Sequence, residues 1–464
     1  MKYLLILCLL FSGCAHFNVC TPKNGNYIKD SKGRICIYHG VNVSNFSKTN
    51  DMGSYLPWQK DEDYARLNDW GFNLVRYLVF WHALEPVEGM VSYTYIDNTI
   101  GQIKKLQKLG IDVVIDLHQD LYGPVEGFCG GNGFPYWTAN TGGLLFKCQT
   151  PWSANYLQPA LISCYKNFWS SYELQQKYIE YVKTMYSALD TMSNVIGFDI
   201  MNEPFPSLPP NTGNLTNWKD IHNIGLAKEV AEDVIRFETK TLPDFYNKIR
   251  DAIVEYKKPI WFEPAIWTSS GIPSILNFNP GSGSVFFPHY YDVKIHEGKP
   301  YTKTVSKIMN LEVKETVLNA KRFGTPVLFG EFGAPASSIG YLDYLGDFLA
   351  LLDQYNIGWT YFTYDKGHPF GVLDEAGKET AHMTKLVRVY PQKIAGVNPR
   401  YNIEGNVFTL SYEHTINAET VIFIPLSLPN VRVVANGEIM PYITGPFIWN
   451  KQGETVIQIS WRND

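Results

Sequence analysis

Apolar residues in this chain come in short dense runs separated by longer amphipathic stretches. Eight such runs, rich in β-branched and aromatic residues, lie at 35–42, 73–81, 112–120, 195–203, 259–265, 284–292, 326–333 and 357–365. Runs of this length with little alternation read as strands buried on both faces, as in a parallel sheet. Between them, 61–70, 95–109, 172–189, 305–322 and 341–355 place apolar residues at helical spacing. Strand and helix signals in alternation predict βαβ units of the α/β class. Eight of them predict a closed (β/α)8 barrel, which needs about 250 to 400 residues, and not an open doubly wound sheet. No G-x-G-x-x-G opens the first unit, which also argues against a dinucleotide fold.

Beyond residue 390 the period changes. The segments 406–411, 419–424, 430–435 and 455–460 read as short strands, with Asn436-Gly437 as a hairpin turn. The expected organisation is a catalytic barrel with an N-terminal hairpin over 16–390 and a small antiparallel β-sandwich over 391–464, packed against the barrel. Two long insertions interrupt the barrel pattern. Residues 121–168 are rich in Gly, aromatics and Cys, and 204–225 in Pro and Asn. Both follow strands on the same predicted face, so they are expected to serve substrate recognition.

The first residues change the picture of where the chain goes. Met1-Lys2-Tyr3, the apolar stretch Leu4 to Phe11 and the small residues Ser12-Gly13-Cys14-Ala15 read as a signal peptide over 1–15. A secreted or endolysosomal protein is expected. Phe11-Ser12-Gly13-Cys14 also loosely resembles a lipoprotein box, which makes a lipid-anchored form the secondary reading. Of seven cysteines, Cys20, Cys36, Cys129, Cys148 and Cys164 then face an oxidising compartment. Cys20 and Cys36 bracket the N-terminal hairpin as one candidate pair, and the other three imply one pair and one free thiol. Asn42, Asn45 and Asn214 fit the glycosylation pattern, with Asn214 the best placed. The net charge of −5 without a basic run disfavours nucleic acid as a partner. Aromatic residues reach 15%; beyond core packing, they suit a groove that stacks sugar rings or covers a lipid.

The candidate chemistry sits where apolar runs end. Asn202-Glu203-Pro204 closes the fourth run and Gly330-Glu331-Phe332-Gly333 the seventh. A carboxylate at the end of a buried strand is costly to desolvate. In a parallel barrel those ends form the active-site face. Two such glutamates are the raw material of glycoside hydrolysis, which needs a proton donor and a nucleophile or base. Arg76, inside the second run, would be buried and is expected to hold Glu331 ionised. Asp116-Leu117-His118-Gln119-Asp120 ends the third run and His289-Tyr290-Tyr291 the sixth, where Tyr291 is placed to hydrogen-bond Glu331. Trp359, Phe362 and Tyr364 on the eighth run are candidates for a sugar platform.

This combination resembles glycoside hydrolase family 5, and within it the endoglycoceramidases, from about Arg34 to the C-terminus. The most specific elements are Asp116-Leu117-His118-Gln119-Asp120-Leu121-Tyr122-Gly123, the following Gly130-Gly131-Asn132-Gly133-Phe134-Pro135-Tyr136-Trp137, and Phe198-Asp199-Ile200-Met201-Asn202-Glu203-Pro204-Phe205. The resemblance implies hydrolysis of the bond between oligosaccharide and ceramide in glycosphingolipids, with retention, no cofactor, and transient contact with a membrane or micelle. It implies Glu203 as acid/base, Glu331 as nucleophile and Asn202 on the 2-hydroxyl of the reacting sugar. Arg76, His118, His289 and Tyr291 would support the pair, and Lys48 and Asp120 would contact the sugar next to the ceramide. Family members often carry Trp on the eighth strand where this chain has Phe362, so Trp359 and Phe362 are alternatives for the stacking residue. Retention predicts carboxyl groups about 5–5.5 Å apart, and inversion about 6.5–9.5 Å. The ceramide face is expected from Leu121-Tyr122, Phe128, Phe134 to Trp137 and Leu144 to Phe146. A glucosylceramidase, a steryl-glucosidase, a β-glucanase and, remotely, a non-catalytic glycolipid-binding protein are the competing readings.

Overall fold

The computed structural model describes residues 27–49, 54–150, 152–206, 208 and 224–462. The signal-peptide reading, the Cys20–Cys36 pair and the Asn214 glycosylation site therefore lie outside the described residues. Eight parallel strands form the barrel wall: β1 (His39–Val43), β2 (Leu74–Val79), β3 (Asp112–Leu117), β4 (Val195–Asp199), β5 (Ile260–Phe262), β6 (Val285–Phe286), β7 (Leu328–Phe329) and β8 (Gly358–Tyr361). Each pairs with its sequence neighbour, and β8 returns to β1 through Trp359 opposite His39. A bridge between Phe286 and Val327, just before β7, brings β6 beside β7. Short extensions continue the last strands, with Glu331 in register with His289. The expected (β/α)8 barrel is present.

Local sequence explains the wall. The β2 run LVRYLV is buried along its whole length, as a strand covered on both faces must be. Gly197 in β4 has no substitute, because a Cβ there would stand 2.1 Å from the Trp261 indole nitrogen on β5. The outer helix Lys303–Phe323 begins at Thr302, whose hydroxyl accepts the Val305 N–H, and ends at Gly324 in the left-handed region. It buries Val305, Met309, Val313, Val317 and Ala320, at the spacing of one helix face.

Two features depart from the expected layout. The first insertion carries most of a helix of its own, Pro159–Ser170 before Tyr172–Leu189, and the second is followed by Ile224–Arg236 running through a π-helical turn, Phe237–Thr241, into Leu242–Ala252. Ile35–Cys36, read as the start of the first barrel strand, instead pairs antiparallel with Tyr390–Ile394. With Thr420–Phe423 and Phe447–Trp449 it forms a four-stranded sheet. A five-stranded antiparallel sheet, built on Gly396–Glu404, Val407–His414 and Gly453–Ser460, completes the C-terminal sandwich. The sandwich core joins Ile35 and Ile37 to Tyr390, Phe408, Ile422, Trp449 and Ile457. Among the described residues, no helix is long and apolar enough to cross a membrane.

Candidate active site

The strand ends converge on one guanidinium. Arg76 is fully buried on β2, and every direction around it is met by an acceptor. Nη1 donates to Asn42 Oδ1 at 3.0 Å and Glu331 Oε1 at 2.6 Å. Nη2 donates to Asp199 Oδ2 at 2.7 Å, Asn202 Oδ1 at 2.8 Å and Glu263 Oε1 at 3.0 Å, and lies 3.0 Å from Asp116 Oδ1. A planar fork of five N–H groups suits such a ring of acceptors, where a point charge would not. Removing one partner of a buried charge cluster costs about 3–5 kcal/mol, so this centre is held as a unit.

Glu203 and Glu331 meet at one imidazole nitrogen. His289 Nδ1 stands 3.0 Å from Glu203 Oε1 and 3.7 Å from Glu331 Oε2, so the two carboxyl groups are no further apart than those legs combined. Tyr291 donates its hydroxyl to Glu331 Oε2 at 2.9 Å, the partner foreseen for it. The environments drive the two glutamates apart. Burial raises the Glu203 pKa, and the neighbouring Glu331 charge adds to it against the opposing His289. Burial alone would raise Glu331 too, but His289, Arg76 and Lys48 outweigh it and hold its carboxyl below the usual range. The like-charge repulsion expected to raise Glu203 is thus present, but desolvation is the larger cause. His289 itself resists charge through burial, yet Glu263 and Glu331 raise its proton affinity well above that of an ordinary histidine.

Glu203 carries a backbone cost. Its φ is +39°, a region that non-glycine residues avoid and that clusters at functional sites. The strain is held from both sides. Its N–H donates to Glu263 Oε2 at 3.0 Å, and its carbonyl accepts from Gln119 Nε2 at 3.1 Å. Gln119 is fixed in turn by the Tyr165 hydroxyl at 2.6 Å. Asn202 is oriented by Arg76 and Gln119, receiving Arg76 on Oδ1 at 2.8 Å and donating Nδ2 to the Gln119 carbonyl at 2.9 Å.

A second charged chain borders the pair. Lys48 Nζ donates to Asp120 Oδ2 at 2.7 Å, His118 Nε2 is 3.0 Å from the same oxygen, and His118 Nδ1 is 2.6 Å from Asp116 Oδ2. Burial alone would raise Asp120, but Lys48 and His118 hold it well below the carboxylate range. Lys48 also lies 4.8 Å over the Phe362 ring, which is close enough for a cation–π contact.

The structure brings together Lys48, Arg76, His118, Asp120, Asn202, Glu203, His289, Tyr291, Glu331 and Phe362, but not Trp359. That indole is fully buried, packed against His39 at 4.4 Å and Phe72 at 5.9 Å between ring centroids. It belongs to the core and faces no sugar, because the alternation along β8 turns it away from the site. Tyr364 is likewise fully buried, edge-on to Trp58 and Trp70. Phe362 alone remains at the strand end. The expected lipid-facing loop divides in the same way. Leu121, Tyr122 and Phe134 are buried, with Tyr122 stacked on Phe134, and form a private core. Tyr136, Leu144 and Leu145 are exposed, Leu145 at 89%, and Phe128 stacks on Phe146 beside them. Cys129 and Cys148 form a disulfide across this loop, and Cys164 is free, which is one pair and one thiol as expected.

Two acids escaped the sequence reading. Glu263 follows β5 and Asp365 follows β8. Asp365 accepts the Asn45 N–H at 2.6 Å and the Trp58 indole at 3.1 Å, which fixes the turn that carries Lys48. Both close an apolar run, the same signal that marked Glu203 and Glu331.

Comparison with known proteins gives the chain relatives. Residues 36–368 match the family model described as cellulase, glycosyl hydrolase family 5. The chain is 26% identical over 424 residues to endoglycoceramidase I of Rhodococcus hoagii, covering 86% of this chain and 77% of that protein. It is 24% identical over 448 residues to an endoglycoceramidase of Hydra vulgaris, covering 88% and 80%. The solved structure of endo-glycoceramidase II from a Rhodococcus species in its ganglioside GM3 complex superposes with a TM-score of 0.79 at 24% identity, over 95% of this chain and 100% of that one. With the barrel, the paired glutamates and a family match over most of its length, the chain belongs to glycosyl hydrolase family 5.

Proposed function

We propose that the protein is a retaining endo-glycosidase that hydrolyses the β-glycosidic bond between the oligosaccharide and the ceramide of glycosphingolipids. The observation that carries this reading is the opposed setting of Glu203 and Glu331 at His289, one proton-retaining and one held ionised. Acid and base assignments follow from such divergence. Glu331 attacks the anomeric carbon while Glu203 gives its proton to the departing ceramide oxygen. Water then cleaves the glycosyl-enzyme with Glu203 as base, which returns both residues to their starting states. Arg76 and Tyr291 hold Glu331 in line, and Asn202 is placed for the 2-hydroxyl of the reacting sugar. Lys48 and Asp120 are placed for the sugar beside the lipid. The similarity to endoglycoceramidases over most of the chain supports the choice of substrate. The exposed Tyr136, Leu144 and Leu145, on the disulfide-tied loop that follows Asp120, supply an apolar rim for the ceramide.

The test is incubation with lactosylceramide or a ganglioside in mild detergent, with products identified by mass and anomer by proton NMR. Intact oligosaccharide in the β-configuration plus free ceramide, lost in Glu203→Gln and Glu331→Gln, is the expected result. Release of glucose from glucosylceramide with no action on longer heads would move the assignment to a glucosylceramidase. An α-anomer as first product would overturn retention.

A further inference from the structure

Glu263 follows β5 and takes no part in the steps above, yet it is connected to Glu203 in two ways. It is 1% exposed. One connection is direct, from the Glu203 backbone N–H to Oε2 at 3.0 Å. The other runs through a ring: Oε1 lies 3.1 Å from His289 Nε2, while His289 Nδ1 lies 3.0 Å from Glu203 Oε1. Glu263 therefore reaches the main chain and the carboxyl of the same residue from opposite ends. Arg76 Nη2 donates to Oε1 as well, and the Tyr246 hydroxyl donates to the Glu263 carbonyl at 2.9 Å, so the anchor is itself immobilised.

The direct contact bears on the positive φ of Glu203. A residue in that region persists only where its surroundings over-determine it, and here the N–H is held by Glu263 and the carbonyl by Gln119. The indirect contact bears on the protonation of the ring. Nε2 stands at ion-pair distance from Glu263 Oε1, and the Glu263 charge favours the protonated ring, so Nδ1 faces Glu203 as a donor. Burial drives the Glu263 carboxyl well above the usual range against His289 and Arg76, yet each of its oxygens accepts a donor, the Glu203 N–H on Oε2 and Arg76 Nη2 on Oε1. An amide has one oxygen, and its NH2 would point at a donor.

We propose that Glu263 is the positioning residue of the proton donor, setting both the backbone and the imidazole contact of Glu203. The proposal rests on the reading that Glu203 is the acid. It distinguishes Glu263 from residues that touch Glu331 directly, because chemistry that needs a proton delivered should suffer more from its loss.

The experiment compares kcat/KM of Glu263→Gln and wild type on lactosylceramide and on 2,4-dinitrophenyl β-lactoside, whose leaving group departs without protonation. Misplacement of a reacting group by about 1 Å costs on the order of 100-fold, so that loss is expected on lactosylceramide. On the dinitrophenyl lactoside, where no general acid is required, a smaller loss is expected, about tenfold or less, passed on through Arg76 to Glu331. Glu263→Asp, which keeps two acceptor oxygens, should recover part of the first loss. Equal losses on both substrates, or none on either, would overturn the proposal. If Glu263→Gln is insoluble, 15N spectra of wild-type histidines decide instead: a proton on His289 Nε2 supports the anchor, and a bare Nε2 overturns it. A wild type inactive on both substrates would overturn the functional reading itself, and is seen before any variant is compared.

Discussion

At the scale of single residues, one rule explains most of the site: an ionisable group that ends a buried strand is kept because it is used. Glu203, Glu331, Glu263 and Asp365 all obey it, and only the first two were marked from sequence, because flanking Asn-Glu-Pro and Gly-Glu-Phe-Gly made them conspicuous. The electrostatics give a pH prediction with a definite sign. Turnover needs Glu331 ionised and Glu203 protonated. Glu331 is held below the ordinary glutamate value and Glu203 above it. Activity should therefore rise with pH through a limb below the usual pKa of about 4.3 and fall through a limb above it. Wild-type kcat/KM should show both limbs on lactosylceramide but only the acid limb on an activated aryl lactoside, which needs no general acid. A surviving alkaline limb would assign that titration to another group.

At the scale of elements, the helix Lys303–Phe323 is coupled to the catalytic face through Glu312. Its Oε2 receives the Tyr290 hydroxyl at 2.6 Å, one residue from both His289 and Tyr291. Burial pushes the Glu312 carboxyl up to about 7. A folded-state pKa above the unfolded one means that the fold binds the proton more tightly, so stability is full at low pH and is lost as pH rises toward 7. Glu312→Gln, which cannot ionise, should gain in Tm relative to wild type between pH 5 and pH 8. A difference that does not change with pH would refute the assignment. Gly271 lies under the same carboxylate, at φ +85° and with room for no Cβ, since one would stand 2.2 Å from Glu312 Oε1. This contact links the loop after β5 to the helix before β7, which no local pattern announces.

At the scale of the molecule, a segment just before the barrel's first strand belongs to the sandwich. Ile35–Cys36 lies directly before β1 in sequence, yet it pairs with Tyr390–Ile394, and the Tyr390 hydroxyl donates to the Gly71 carbonyl beside β2. Removing 396–462 would uncover Ile35, Ile37, Tyr390 and Ile394, all buried against the sandwich core. We expect that truncation to abolish soluble expression or to lower Tm by roughly 10 °C or more, measured by calorimetry. An unchanged Tm would show that the barrel stands alone.

What the sequence determined by itself was periodic or local. Dense apolar runs between amphipathic stretches announced the parallel barrel, since a strand covered on both faces leaves no other pattern. Alternation after residue 390 announced the antiparallel sheets. The two glutamates, Arg76, the His118–Asp120 cluster and His289–Tyr291 were legible because charged groups are expensive inside such runs. The tertiary structure alone decided which member of a set faces the site. Phe362 reaches the catalytic face while Trp359 and Tyr364 turn into the core. Tyr136, Leu144 and Leu145 face solvent while Leu121, Tyr122 and Phe134 fill the loop. The exchange of Ile35–Cys36 into the sandwich, and the hold of Glu263 on Glu203, were likewise invisible beforehand. Each depends on contacts between residues far apart in the chain, and a one-residue step along a strand reverses the face without changing composition.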